Sequence, residues 1–143
     1  MQFNITTDYA IRTVLFLAIK GGLATAWEIS EATGIPHSYQ LKLTAKLVRA
    51  GIIKRIQGRK GGFLLNQEKQ DITLSDIVRI MEPTVHINRC LGDEASCSFV
   101  QENCPIRSFY QRMQANIDDC LQSVTVAALL DEQKTKKRVL PKA

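Results

Sequence analysis

Residues 25–65 read TAWEISEATGIPHSYQLKLTAKLVRAGIIKRIQGRKGGFLL, and the local signals in this stretch fix an order of elements. Thr25 followed three residues later by Glu28 is a capping-box pattern that opens a helix. Ile29 and Ala32 supply its apolar face, Gly34 stops it, and Ile35-Pro36 makes the turn. A second helix runs from about Ser38 to Ala50, with Leu41, Ala45, Leu47 and Val48 as its expected apolar side and Gly51 closing it. The period then changes. Ile53, Arg55 and Gln57 alternate with Lys54 and Ile56, a basic Gly-containing turn follows, and Phe63-Leu64-Leu65 returns, which predicts a two-stranded hairpin. Helix, Gly turn, helix and basic hairpin is the order of a winged helix-turn-helix.

Working outward, Thr7 to Lys20 predicts a helix, with Ile11, Val14, Leu15, Ala18 and Ile19 at three- and four-residue steps before Gly21-Gly22. Downstream, Thr73 with Asp76 opens a fourth helix carrying Ile77, Val78, Ile80 and Met81, and Pro83 lies just past its end. A final helix is expected from Pro105 to about Asp131. Its residues Ile106, Tyr110, Met113, Ile117, Cys120, Val124 and Ala127 form a heptad-like seam. At 1.5 Å per residue it would be ~38 Å long, too long to bury against so small a domain, so a homodimer is expected. The fold class is therefore mainly α, with a small β wing and a long dimerisation helix. The expected divisions are residues 1–82 for the winged domain, 83–104 for a cysteine loop, 105–131 for the dimerisation helix and 132–143 for a charged flexible tail. No internal repeat or low-complexity block is present.

The net charge of +5 is unevenly placed. Residues 1–66 hold nine Lys or Arg and three Asp or Glu, whereas residues 67–143 hold ten and eleven. The basic half implies an anionic partner, most simply double-stranded DNA. A recognition helix presents polar side chains near its N-terminus; Ser38, Tyr39, Gln40 and Lys42 fit, with Gln40 suited to adenine and Ser38 or Tyr39 to phosphate. Lys46 and Arg49 lie farther along as backbone contacts, and Arg59 and Lys60 crown a flexible wing tip able to reach a narrow minor groove. A winged domain that docks on protein instead would bind duplexes weakly and without salt dependence. The histidines, His37 and His86, sit in no nucleophile–base pattern, and no phosphate loop or His-Glu zinc motif occurs, so an enzyme is not expected. The run Val14 to Ile19 is too short to span a bilayer and no leader pattern precedes it, which points to a cytoplasmic protein with no membrane partner and no small-molecule substrate.

Four cysteines remain. Cys120 falls in the helical seam and reads as a packing residue. Cys90, Cys97 and Cys104 instead stand among Asp93, Glu94, Ser96, Ser98, Gln101, Glu102 and Asn103, where burying thiols gains little, so ligation or redox chemistry explains them better. No Cys-x2-Cys zinc knuckle is present, and spacings of six residues can wrap a larger object such as an iron–sulfur cluster. Pro105 makes Cys104 the expected N-cap of the last helix, a position where the helix dipole favours the thiolate that metal ligation needs.

TTDYAIR near the start, the whole of residues 28–65 and three cysteines before a long last helix together resemble the IscR/NsrR family of bacterial winged-helix regulators, the Rrf-two type. The resemblance covers about residues 1–131. It implies a homodimer, a palindromic operator and, in many members, a [4Fe-4S] or [2Fe-2S] cluster whose state sets DNA affinity. Cys90, Cys97 and Cys104 match the three cluster cysteines, although six-residue spacings replace the commoner five. A His three residues after the last cysteine serves as fourth ligand in the cluster-assembly members; Arg107 stands there. Nitric-oxide-sensing members carry an acidic residue early in the first helix that ligates the partner's cluster, and Asp8 matches it. Many members carry Arg directly before the first wing Gly; here it is Gln57. The expected function is transcription regulation, most simply repression, gated by a cluster that senses nitric oxide, oxygen or iron. Some relatives work without a cluster, through a thiol switch, a metabolite or a partner protein.

Overall fold

The computed structural model describes residues 2–92, 97, 99 and 103–139, the side chains of 137–139 excepted. In order it contains α1 (Ile5–Lys20), α2 (Ala26–Thr33), α3 (His37–Arg49), β1 (Ile53–Ile56), β2 (Gly62–Leu65), α4 (Leu74–Met81), a 3-10 turn at Arg89–Leu91, α5 (Pro105–Ser123) and α6 (Val126–Val139). The mainly helical winged helix-turn-helix expected from residues 25–65 is the fold observed.

Local chemistry sets the helix ends. Asn4 accepts from the Thr6 N–H to start α1, and Gly21 and Gly34 close α1 and α2 in the left-handed conformation that Gly adopts without a Cβ penalty. Both expected capping boxes form. The Thr25 N–H donates to Glu28 Oε2 at 2.7 Å and the Glu28 N–H to Thr25 Oγ1 at 3.1 Å. At α4 the Thr73 N–H donates to Asp76 Oδ2 at 2.8 Å and the Asp76 N–H to Thr73 Oγ1 at 3.2 Å.

β1 and β2 pair antiparallel, Ile53 opposite Leu65 through Ile56 opposite Gly62. An isolated bridge between Ala24 and Phe63 ties the wing to the residue before α2. Two of the three wing glycines are required by contact. A Cβ on Gly62 would lie 2.5 Å from the Ala24 carbonyl oxygen, and one on Gly61 would meet the carbonyl oxygens of Ile56 and Gly58. The core gathers Val14 and Leu17 of α1, Ile29 of α2, Leu43 and Leu47 of α3, Ile53 of β1, Ile77 of α4 and Val126 of α6. Fully burying such a side chain stabilises the fold by about 1.5–3 kcal/mol.

Two sequence expectations are corrected. The long helix to Asp131 is two helices. The chain is extended at Val124, with φ −100° and ψ 115°, and Thr125 bridges Thr73. The Leu74 N–H donates to the Val124 carbonyl at 3.0 Å and the Val126 N–H to that of Ile72 at 2.9 Å. The β-branched run Val124-Thr125-Val126 suits extended backbone, and Thr125 Oγ1 then accepts from the Ala128 N–H at 3.1 Å to start α6. α6 turns back so that Val126 and Leu130 join the core. The seam is thereby cut before Val124 and Ala127, and the supposed tail from residue 132 is helical through Val139. Cys120 lies on α5, exposed in the single chain, on the side the expected dimer seam would use.

Candidate nucleic-acid interface and cysteine segment

α3 divides cleanly into two faces. Gln40, Leu43, Thr44 and Leu47 are buried, at the i, i+3, i+4, i+7 spacing of one helix side. Ser38, Leu41, Lys42, Ala45, Lys46 and Arg49 are exposed on the other. The structure therefore corrects two expectations. Gln40 is fully buried and cannot meet a base: its Nε2 lies 3.4 Å from Thr13 Oγ1, and that hydroxyl donates to the Tyr9 carbonyl at 2.9 Å. Leu41 and Ala45, expected to pack inward, point away from the core. Thr44, an unremarked polar residue, takes an inward position because its hydroxyl donates to the Gln40 carbonyl at 2.8 Å, the back-bonding that lets a Thr sit inside a helix face.

Ser38, Lys42, Lys46 and Arg49 occupy the exposed face as expected, and Arg59 and Lys60 are exposed at the wing. Tyr39 is partly committed elsewhere: its ring meets Tyr9 edge-on at 5.7 Å. The charge is one-sided. From Ala32 to Gln67 the chain carries Lys42, Lys46, Arg49, Lys54, Arg55, Arg59 and Lys60 and no Asp or Glu. Between α3 and the wing lies a cleft of about 570 Å³ lined by Leu41, Ala45, Val48, Arg55, Ile56 and Gln57. Trp27, 62% exposed at the start of α2, lies with its ring 5.8 Å from that of His37. Sequence reasoning missed this aromatic pair; an unburied Trp one residue into a helix was the available signal. Glu28, beside it, has its carboxyl pKa lowered by the hydrogen bond from the Thr25 N–H and by Lys20, whose Nζ is 3.2 Å from Oε1.

The cysteine segment is framed at both ends. Asn88 accepts from the Cys90 N–H at 3.2 Å, and Arg107 Nε reaches the Cys90 carbonyl at 3.4 Å. Cys104 is the N-cap of α5, with Pro105 as its first residue, and makes no side-chain capping bond. Upstream, Gln114 of α5 holds the backbone that leads into the segment: its Oε1 accepts from the Ile87 N–H at 2.8 Å and its Nε2 donates to the Val85 carbonyl at 3.0 Å. Gln114 was not singled out in the sequence, where a lone Gln on a charged helix carries no signal. Glu82, at the end of α4, accepts from the Asn4 N–H at 2.8 Å and from Thr7 Oγ1 at 2.5 Å, so the start of α1 is tied to the start of this connector.

Cys90, Cys97 and Cys104 are free and half-buried. The polar neighbours expected around them at 93, 94, 96, 98, 101 and 102 lie outside the described residues. Three free thiols on one short segment fit the donor chemistry of an iron–sulfur cluster. No group of three His, Cys, Asp or Glu able to hold a metal ion occurs among the described residues. Asp8 lies in the first turn of α1, half exposed, with its Oδ2 2.7 Å from Arg12 Nη2. Among the described residues no helix is long and apolar enough to cross a membrane.

Residues 3–132 match the family model described as "Rrf2: Iron-dependent Transcriptional regulator". The chain is 26% identical over 132 residues to the HTH-type transcriptional regulator NsrR of Shouchella clausii, covering 91% of this chain and 89% of that protein. Among solved structures it is similar to T. potens IscR, with a TM-score of 0.76 at 23% identity over 100% of this chain and 94% of the other. It is equally similar to CymR (YrzC), the global cysteine regulator of B. subtilis, with a TM-score of 0.76 at 23% identity over 92% and 98%. At those identities the two structures establish the shared fold. The matched proteins are regulators of transcription, not enzymes.

Proposed function

Because the chain belongs to the Rrf2 family of transcriptional regulators, we propose that it is a homodimeric DNA-binding regulator, most simply a repressor of cytoplasmic transcription, whose operator affinity is set at Cys90, Cys97 and Cys104. The observation that carries the DNA-binding part is the acid-free surface of α3 and the wing. Seven cations with no carboxylate among them suit the phosphate backbone, whose neutralisation supplies most non-specific affinity. In this reading Ser38 and Lys42, which are exposed, meet base edges or nearby phosphates, Lys46 and Arg49 the backbone, and Arg59 and Lys60 the minor groove.

The dimer rests on α5. Among the described residues of this helix Gln114 is buried, and Ile106 and Phe109 remain 48% and 44% exposed. At 19 residues it is about 28 Å long, and the unpaired face that starts at Ile106 continues through Tyr110 and Met113 toward Cys120. A second copy of the same helix would cover it. Two winged domains so joined read two half-sites about one helical turn apart.

An iron–sulfur cluster held by Cys90, Cys97 and Cys104, with Asp8 from the partner as candidate fourth ligand, would supply a centre that nitric oxide, oxygen or iron loss destroys. The chain's own residues do the rest. Gln114 and Arg107 hold the entry of the segment to α5, and Glu82 ties the end of α4 to the start of α1. A change in the path of the segment thus acts on the angle between winged domain and dimer helix. A tenfold change in operator affinity corresponds to ~1.4 kcal/mol of coupling, ordinary for allostery.

A second reading, the same regulator using its thiols without a cluster, rests on Cys90, Cys97 and Cys104 being free and half-buried. Visible absorption with iron and sulfide content of anaerobically purified protein separates the two. Stoichiometric iron and sulfide in the wild type, lost in Cys97→Ala with the dimer intact, is the expected result. Colourless wild-type protein without iron would remove the cluster and leave the thiol reading.

A further inference from the structure

Resting on the DNA-binding reading above, we infer that Leu41 and Ala45 are specificity residues that contact thymine methyl groups in the major groove. Leu41 is 52% exposed and Ala45 is exposed one turn on. Both lie on the face of α3 opposite Leu43 and Leu47, in the same stripe as Ser38, Lys42 and Arg49. An apolar pair at the centre of a cationic stripe offers a contact that an anionic partner with apolar groups of its own can use. The surrounding charge selects the partner, since seven cations without a carboxylate exclude a basic surface and favour duplex DNA.

The chemistry of the bases narrows the reading further. Cytosine is read by a carboxylate that accepts from its N4, and adenine by a bidentate Asn or Gln. The exposed face of α3 carries no carboxylate, no Asn and no Gln, because Gln40 is sealed against Thr13. The readers left are Ser38, which does not discriminate among bases, Lys42, suited to guanine, and the apolar pair, suited to the C5-methyl group that thymine alone presents. Ile56 and Val48 on the walls of the adjoining cleft extend the apolar surface toward the wing.

The test starts from duplexes selected out of a random library by the full chain, purified without oxygen. The best site is then remade with deoxyuridine replacing thymine at one position at a time, which removes only the methyl group. One or two positions in each half-site should weaken wild-type binding about fourfold. Leu41→Ala, at an exposed site that leaves the fold unchanged by circular dichroism, should still bind and lose that sensitivity at the same positions. Tight wild-type binding that ignores every methyl would overturn this inference and leave DNA binding standing. Full methyl sensitivity in Leu41→Ala would also overturn it and assign the patch to another partner. Failure to select any duplex, with no salt-sensitive binding, would remove the DNA-binding reading itself.

Discussion

Among the described residues α1 and α5 are the two longest helices, and they use their length differently. α1, with 16 residues, buries Thr7, Ala10, Thr13, Val14, Leu17 and Ala18 against α2, α3, α4, β2 and α6. α5, with 19, packs on α4 and the 3-10 turn and buries Gln114. One helix is the hub of a core that a single chain completes. The other keeps its apolar side chains near the surface and spends its buried position on a polar side chain that grips backbone. A small domain can fold around the first arrangement alone. The second leaves Ile106 and Phe109 exposed, on the face that the dimer proposed above would cover.

The comparison breaks if α5 is not the dimer contact. Charging it with Ile106→Glu and Phe109→Glu should give a monomer by sedimentation velocity, folded by circular dichroism. Affinity for a two-half-site duplex should fall by about a hundredfold as avidity is lost. A dimer that survives both changes would place the interface elsewhere. A smaller effect sharpens the contrast. Leu47→Ala, at a fully buried site, should lower urea stability by about 3 kcal/mol, whereas Ile106→Ala should change it by under about 0.5 kcal/mol at dilutions where the monomer prevails. Smallest is the cap of α2. Thr25→Ala should cost about 1 kcal/mol. The Glu28 carboxyl has its pKa lowered in the fold, so its contribution is present above the unfolded value of 4.5 and is lost as pH falls through the folded one. Glu28→Gln should therefore flatten the acid side of the stability profile measured from pH 6 to 3.

Much of the winged domain was legible in the sequence because its signals are local. Thr25 with Glu28, Thr73 with Asp76, Gly21 and Gly34 mark ends that depend on neighbouring residues only, and each end stands where its residues put it. The inward face of α3 was not legible. Counting apolar residues favoured Leu41 and Ala45, but Gln40 and Thr44 are buried instead because Thr13 and a helix carbonyl satisfy them, and Thr13 is 27 residues away. The break at Val124 was hidden for the same kind of reason. Heptad spacing continued through it, while the bridge to Thr73 that holds it is a long-range pairing; Val124-Thr125-Val126 was the local hint. For the site, residue type and order marked the three cysteines and the cations, but the side chains of Gln114 and Glu82 hold backbone groups and the Thr7 hydroxyl far along the chain, pairings that no sequence pattern reveals.

The return of α6 also sets a timetable. Val126 and Leu130 fill the core beside residues of α1 and α4, so a ribosome that has released only the winged segment has produced a domain with an open side. The first helix then waits for the last, and its apolar face is most vulnerable to aggregation or proteolysis during synthesis of the cysteine segment and α5. On the ribosome, therefore, the core of the winged domain closes only after the cysteine segment and α5 have been made, and a nascent chain cut short within α5 should not accumulate as a stable folded domain.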